Sequence, residues 1–217
     1  MENFALARDH MIDGQLKPNH VTDPRVLAAL RAVPRELFVP KALRGVAYVD
    51  EDIEVAPGRF LMEPMVFARL LQETRIKDSD LVLDIGCATG YSSAVLSELA
   101  AALVAVEEVP ELVERAKSLL AERECGNVAV VEGPLNRGAP DHEPFDVIFI
   151  NGAVEQIPDA LFDQLAEGGR LACVHVVNGV GKASLFIKDG GVIGRRPLFD
   201  AAVPVLPGFE RPRGFVF

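Results

Sequence analysis

From residue 81 onward, short apolar runs rich in β-branched residues alternate with amphipathic segments. Residues 81–85, 102–106, 127–132, 145–150 and 170–177 have the length and composition of buried strands. Between them, a helix begins near Tyr91, and Pro110 opens another running to about Glu124, with Leu112, Val113, Ala116, Leu119 and Leu120 on one face. A third helix is predicted over 158–166, closed by Gly168 and Gly169. Strands that alternate with helices predict an α/β fold: a mostly parallel sheet with helices on both faces and ligands at the carboxyl ends of the strands. The pattern then changes. Residues 183–188, 192–198 and 202–206 read as strands divided by Asp189-Gly190-Gly191 and Phe199-Asp200, which predicts an antiparallel end to the sheet.

Residues 2–60 lack this alternation. Phe4, Leu6, Met11, Ile12 and Leu16 form an imperfect helical stripe ending before Pro18. Asp23-Pro24 supplies a cap and a first helical residue, with Val26, Leu27, Leu30 and Val33 inward and Pro34 as the stop. The expected organisation is a helical extension over 1–60 packed on a domain over 61–217, in one structural unit. Residues 50–54 (DEDIE) read as an acidic surface turn. Pro64 opens a helix with Val66, Phe67, Leu70 and Leu71 on its apolar face, and connectivity puts its start, around Met62 and Glu63, over the loop that follows the 81–85 strand.

That loop carries the candidate chemistry. Gly86 and Gly90 follow an apolar strand and precede a helix start, so backbone can approach a ligand closely and free N–H groups face it. Glu107 ends the next strand, where a carboxylate can accept from the two hydroxyls of a ribose. The dinucleotide fingerprint is broken, because Ala88 and Tyr91 stand in its second and third glycine places. No Lys follows Gly90, so a phosphate loop is absent as well. The segment 84–90, Glu107, Gly133 and Asn151 all fall at carboxyl ends of predicted strands.

Composition narrows the partners. With 49% hydrophobic and 25% charged residues among 217, the chain is of globular type, and no apolar run is long enough to span a bilayer. The mixed, charged start is not a secretory signal. Cys87, Cys125 and Cys173 are odd in number and far apart, reading as reduced thiols of a cytoplasmic protein. His10, His20, His142 and His175 have no metal-ligand spacing, so no metal is expected. A net charge of −10 argues against a nucleic-acid partner, since Arg195-Arg196 and Arg211 with Arg213 are only small clusters.

The loop from Asp84 to Gly90 resembles motif I of the class I S-adenosylmethionine methyltransferases, in which an acidic residue precedes a glycine-rich turn. Beyond it, Val33-Pro34-Arg35-Glu36-Leu37-Phe38-Val39-Pro40, Glu63-Pro64 with Ala68, Val106-Glu107, Phe145-Asp146-Val147-Ile148, Gly152-Ala153, Ile157-Pro158, Glu167-Gly168-Gly169 and Val203-Pro204-Val205-Leu206 resemble segments of the protein-L-isoaspartate O-methyltransferases. The resemblance implies a Rossmann-like methyltransferase fold and transfer of methyl from S-adenosylmethionine to the free carboxylate of an isoaspartyl residue in a damaged protein or peptide, leaving S-adenosylhomocysteine. It implies cofactor contacts at Asp84, Gly86, Cys87, Ala88, Thr89, Gly90, Tyr91, Glu107, Glu108, Gly133, Pro134, Leu135 and Asn151. Substrate contacts are implied at Met62, Glu63, Pro64, Gly152, Ala153 and Pro204. A carboxylate is already a nucleophile near neutral pH, so alignment and exclusion of water are the main tasks and no general base is needed.

The departures from the family pattern keep alternatives open. Met62 stands where the family has a serine, and Glu63 replaces its glutamine. Met62 cannot donate a hydrogen bond, and an inward Glu63 would repel a carboxylate. Gly133-Pro134-Leu135 replaces the family's G-D-G. A methyltransferase acting on another acceptor, such as a small molecule, and a non-catalytic module that binds S-adenosylmethionine or a protein partner are the other two readings.

Overall fold

The structure is a computed structural model that describes residues 3–212; Arg213, named above, lies outside them. A seven-stranded sheet has the order β5-β4-β3-β6-β7-β8-β9, built from β3 (Leu81–Ile85), β4 (Ala102–Glu107), β5 (Val128–Glu132), β6 (Phe145–Val154), β7 (Leu165–Val177), β8 (Val180–Asp189) and β9 (Val192–Asp200). Strands β3 to β7 run parallel, and β8 and β9 are antiparallel, as the change in pattern predicts. The chain reverses its direction of travel across the sheet between β3 and β6, and the crevice at such a point is where this architecture places ligands.

Alternation along each strand divides the core. Val82, Leu103, Ala105, Val147 and Phe149 face one side, where they meet α2 (Pro24–Ala32), α3 (Pro64–Thr74), α4 (Tyr91–Ser97) and α5 (Pro110–Glu122). Leu83, Ile85, Val104, Val106 and Ile148 face the other, covered by α6 (Asp159–Asp163), Leu135 and Ala139, and the chain around Leu206 and Phe209. Each such fully buried side chain contributes roughly 1.5–3 kcal/mol.

The N-terminal region packs on the first face. α1 (Phe4–Met11) continues into a wider turn, Ile12–Leu16, and Asp23 Oδ1 caps α2 by accepting from Arg25 N at 2.8 Å. Met11, Ile12, Leu16, Val26 and Leu30 join the same cluster as α3. Thr89 Oγ1 donates to the carbonyl of Phe38 at 2.6 Å, tying the glycine loop to the segment after α2.

Four expectations need correction. The run 50–54 is more than a surface turn, because it leads into a hairpin of β1 (Ile53–Ala56) and β2 (Arg59–Leu61), with Ile53 and Leu61 opposite each other and buried. Asp50 and Asp52 in the acidic run accept from Met65 N (3.0 Å) and Glu63 N (2.8 Å), satisfying free donors at the start of α3. The helix read over 158–166 stops at Asp163, because Leu165 pairs with Phe145 and starts β7; Gly168 and Gly169 make an irregularity inside that strand rather than a helix cap. A Cβ on Gly169 would meet the Ala166 carbonyl at 2.7 Å, so only glycine fits there. Residues 202–206 make one isolated bridge, Val205 with Ala153, instead of a strand.

Candidate active site

At the switch point, Asp84 ends β3 and Asn151 lies near the end of β6, and their side chains meet. Asn151 Nδ2 donates to Asp84 Oδ1 at 2.5 Å and to the Ile85 carbonyl at 3.2 Å. Asp84 Oδ2 accepts from Ser92 Oγ (2.8 Å) and Ser93 Oγ (2.6 Å) in the first turn of α4. Asp84 is fully buried; burial pushes its carboxyl up to about 6 against the lowering effect of these three donors. It therefore holds β3, α4 and β6 in place around the loop.

The loop adopts the backbone its glycines permit. Gly86 has φ +75 and Gly90, which precedes α4, φ +94; Ala88 takes the left-handed region at φ +49 without a glycine. Cys87 is buried, and burial pushes its thiol well up, so it is an unreactive wall. Tyr91 is buried among Phe38 and Phe67, at ring distances of 5.6 and 5.7 Å.

Two small cavities, the first of which adjoins the loop, share Phe60, Met62 and Asn151. The first is lined by Gly86, Cys87, Tyr91 and Ser92 together with Arg35, and the second by Asp52, Gly152, Pro204 and Leu206. Each has room for about 10 Å³, the space of a single water. Met62, 5% exposed, lies between the cofactor side and the substrate side expected from sequence. The bridge at Ala153 holds the second wall: Ala153 N donates to the Pro204 carbonyl and Leu206 N to the Ala153 carbonyl, each at 2.9 Å.

Several predicted residues stand elsewhere. Glu63 lines neither cavity; it sits beside Asp50 and Asp52, and burial followed by those two charges pushes its carboxyl up to about 7. Pro64 opens α3 and is buried. Leu135 turns into the core with Val106 and Ile148, and Gly133, Pro134 and Glu108 line neither cavity. Glu107 is at the expected strand end, but its carboxylate is occupied. Oε1 accepts from Glu108 N (2.9 Å) and Val109 N (3.1 Å), and Oε2 from Ala88 N (2.9 Å) and Arg59 Nη2 (2.5 Å).

Arg59 and Arg35 are the residues that the sequence reading did not single out. Both are almost wholly buried. The signal of Arg59 is weak in sequence, because an arginine before a short apolar run reads as surface until the hairpin folds it inward, and Arg35 is carried inward by the short turn Arg35–Leu37.

S-adenosylmethionine can be tested against this donor set. The glycine turn, the Asp84–Asn151 pair and Glu107 provide the close backbone approach and strand-end carboxylate that an adenosyl group with an amino-acid tail requires. A carboxylate offers about four acceptor sites, and Glu107 uses four; three of its donors are backbone, so only Arg59 can yield to a ribose hydroxyl. The residues fit the group on the condition that Arg59 moves and the two cavities, each with room for one water, open around it. Among the described residues, no cluster of His, Cys, Asp or Glu could hold a metal ion, and no helix is long and apolar enough to cross a membrane.

Comparison with known proteins gives the family and the fold. The profile of the family described as protein-L-isoaspartate(D-aspartate) O-methyltransferase matches residues 7–193. A protein-L-isoaspartate O-methyltransferase of Methanoculleus marisnigri is 40% identical over 164 residues, 76% of this chain and 74% of that one. A protein of the same name from Koribacter versatilis is 40% identical over 171 residues, 79% and 77% of the two chains. A solved protein-L-isoaspartate O-methyltransferase superposes with a TM-score of 0.80 at 26% identity, covering 93% of this chain, which spans 66% of that one. A Plasmodium falciparum structure, titled a putative protein-L-isoaspartate O-methyltransferase in complex with S-adenosyl-L-homocysteine, shares the fold at TM-score 0.80 and 18% identity, covering 95% of this chain and 99% of that one.

Proposed function

Because the chain belongs to the protein-L-isoaspartate(D-aspartate) O-methyltransferase family, we propose that it uses S-adenosylmethionine to methylate the carboxylate of an isoaspartyl residue in a protein or peptide. The observation that carries this reading is the meeting of Asp84 and Asn151 at the switch point, beside a wall shared with Met62, Gly152 and Pro204. Bound there, S-adenosylmethionine would supply an electrophilic methyl group.

The chain's own residues do the rest. Asp84 fixes the first turn of α4 and the Asn151 amide, so the loop backbone is held before any ligand arrives. Phe60, Met62, Phe67 and Leu206 keep the two cavities nearly free of water, which protects the transfer from hydrolysis. Gly152 and the backbone around Pro204 frame the acceptor side. No side chain has to remove a proton, because the acceptor carboxylate is ionised at neutral pH.

One observation favours a second reading, in which the same site methylates a different acceptor. Met62 presents a thioether where the family carries a hydroxyl, so a carboxylate there gains no hydrogen bond from that position.

The test measures S-adenosylhomocysteine binding by calorimetry, then labelled methyl transfer to an isoaspartyl peptide and to its aspartyl twin. Binding with transfer to the isoaspartyl peptide alone is expected. Binding without transfer to either peptide supports the second reading, and no binding at millimolar ligand overturns both.

A further inference from the structure

Arg35 stands on the wall of the cofactor-side cavity in a state that calls for an anion. Pro34 leads into a short turn, Arg35–Leu37, and the buried Val33 and Phe38 on either side anchor the segment, so the arginine is carried inward. Its guanidinium is held from three directions. Nε donates to the Ala47 carbonyl at 2.8 Å, Nη2 to the Met62 carbonyl at 2.9 Å, and the group lies over the Tyr91 ring at 4.8 Å from the centroid. Nη1 has no partner, although the residue is only 1% exposed.

Among the described residues, no carboxylate forms an ion pair with Arg35, although Asp52 is close enough to act on its charge. Glu36 accepts from Tyr48 and sits 4.0 Å from Arg8, Asp52 accepts from Glu63 N, and Asp84 takes its three donors from Ser92, Ser93 and Asn151. Burial pulls the Arg35 pKa down, and Tyr91, Tyr48 and Asp52 offset this only in part. A buried guanidinium left unpaired is costly unless a ligand completes it. Arg59 likewise leaves Nε and Nη1 without partners, but its charge is already paired with Glu107.

We propose that Arg35 Nη1 is a binding donor for a ligand carboxylate entering the cavity between Gly86 and Met62. This rests on the methyltransferase reading, within which two carboxylates are available: the α-carboxylate of the cofactor and the carboxylate of the acceptor. The Met62 side chain, which lines the same cavity, can move aside for either, because it is unbranched and flexible. The arginine also compensates for the hydroxyl that Met62 lacks, with a charge-assisted bond in place of a neutral one.

The experiment compares the native chain with Arg35→Gln and Arg35→Lys, each first checked for a cooperative thermal transition. Lysine keeps the charge and loses the fork, so it serves where glutamine fails to fold. Calorimetry is run with S-adenosylhomocysteine and with 5′-deoxy-5′-methylthioadenosine, which keeps the adenosyl thioether and lacks the amino-acid carboxylate. KM for an isoaspartyl peptide is measured in parallel. If the cofactor is the source, the variants lose at least tenfold in affinity for S-adenosylhomocysteine and less than twofold for the truncated ligand. If the acceptor is the source, both affinities hold and KM rises at least tenfold. Equal weakening of both ligands, or no change in any of the three quantities, overturns the inference. A native chain that binds neither ligand and methylates no peptide overturns the methyltransferase reading itself, and the inference with it.

Discussion

Arg59 donates to Glu107 across 2.5 Å, and neither side chain is more than 2% exposed. The pair occupies the acceptor that the cofactor's ribose would use. Removing the arginine therefore has two effects of opposite sign. Loss of one partner of a buried pair costs stability, about 3 kcal/mol given the three backbone donors that Glu107 keeps. The carboxylate is meanwhile freed for a ribose hydroxyl. Arg59→Gln is expected to lower the unfolding free energy in urea and to tighten S-adenosylhomocysteine about tenfold, or ~1.4 kcal/mol. In that background, Glu107→Ala should weaken the ligand by ~1–3 kcal/mol, the worth of hydrogen bonds to a charged acceptor. Calorimetry on the three proteins checks both steps; unchanged affinity in Arg59→Gln would show that the arginine does not stand in the way.

Met62 tests the acceptor side. It touches both cavities, so a change there reaches the cofactor wall and the substrate wall together. Met62→Ser introduces a donor and removes bulk that now closes the gap. The expected outcome is at least a tenfold rise in methyl transfer to an isoaspartyl peptide, with S-adenosylhomocysteine affinity changed less than threefold, or ~0.65 kcal/mol. Buried Met→smaller changes cost about 2–5 kcal/mol, so the melting temperature should fall. Transfer rates at saturating cofactor, measured well below that temperature, decide it.

What the sequence made legible follows from how local each signal is. Strands β3 to β6 and helices α3 and α5 were readable because their apolar periodicity is long and their proline starts are explicit. The glycine loop was readable because a positive φ at Gly86 and Gly90 demands that residue type. Glu107 was placed at the right strand end, yet its occupancy was hidden. Arg59 reaches it across 48 positions through a hairpin of only four-residue and three-residue strands, which leave almost no periodicity to read. The acidic run 50–54 looked like surface because its role, capping α3 from 15 residues before Met65, is set by tertiary contact. Leu135 was assigned to the ligand because Gly133-Pro134-Leu135 stands where the family has G-D-G, but its side chain is wholly apolar and packs in the core.

Glu63 gives the stability of the fold a pH dependence of definite sign. Its carboxyl, 4.5 in model peptides, is pushed up to about 7 by burial and by Asp50 and Asp52. Between these values the native chain holds a proton that the unfolded chain has released, so stability falls as pH rises through this range. Asp84, raised to about 6, acts in the same direction lower down. Glu63→Gln removes the first contribution and leaves the second. Urea midpoints from pH 4 to 8 should therefore decline in the native chain up to about pH 7, whereas the variant should level off near pH 6. Parallel curves across the whole range would show that Glu63 titrates normally.

Gly152 and Leu206 form the contact that closes the acceptor-side cavity. A Cβ on Gly152 would lie 2.6 Å from Leu206 Cγ, too close for any side chain to be tolerated without movement. Leu206 also lies against Gly86, 3.2 Å from where a Cβ would be, so pushing it aside disturbs the glycine loop as well. Gly152→Ala is expected to cost about 1–3 kcal/mol from overpacking. Leu206→Ala alone should cost about 2–5 kcal/mol by opening a cavity. In the double variant the new methyl has space, so the two losses should fall short of their sum by about 1–2 kcal/mol, a coupling expected only of residues in direct contact. Denaturant unfolding of the four proteins of this cycle measures that difference, and strict additivity would place Leu206 away from Gly152.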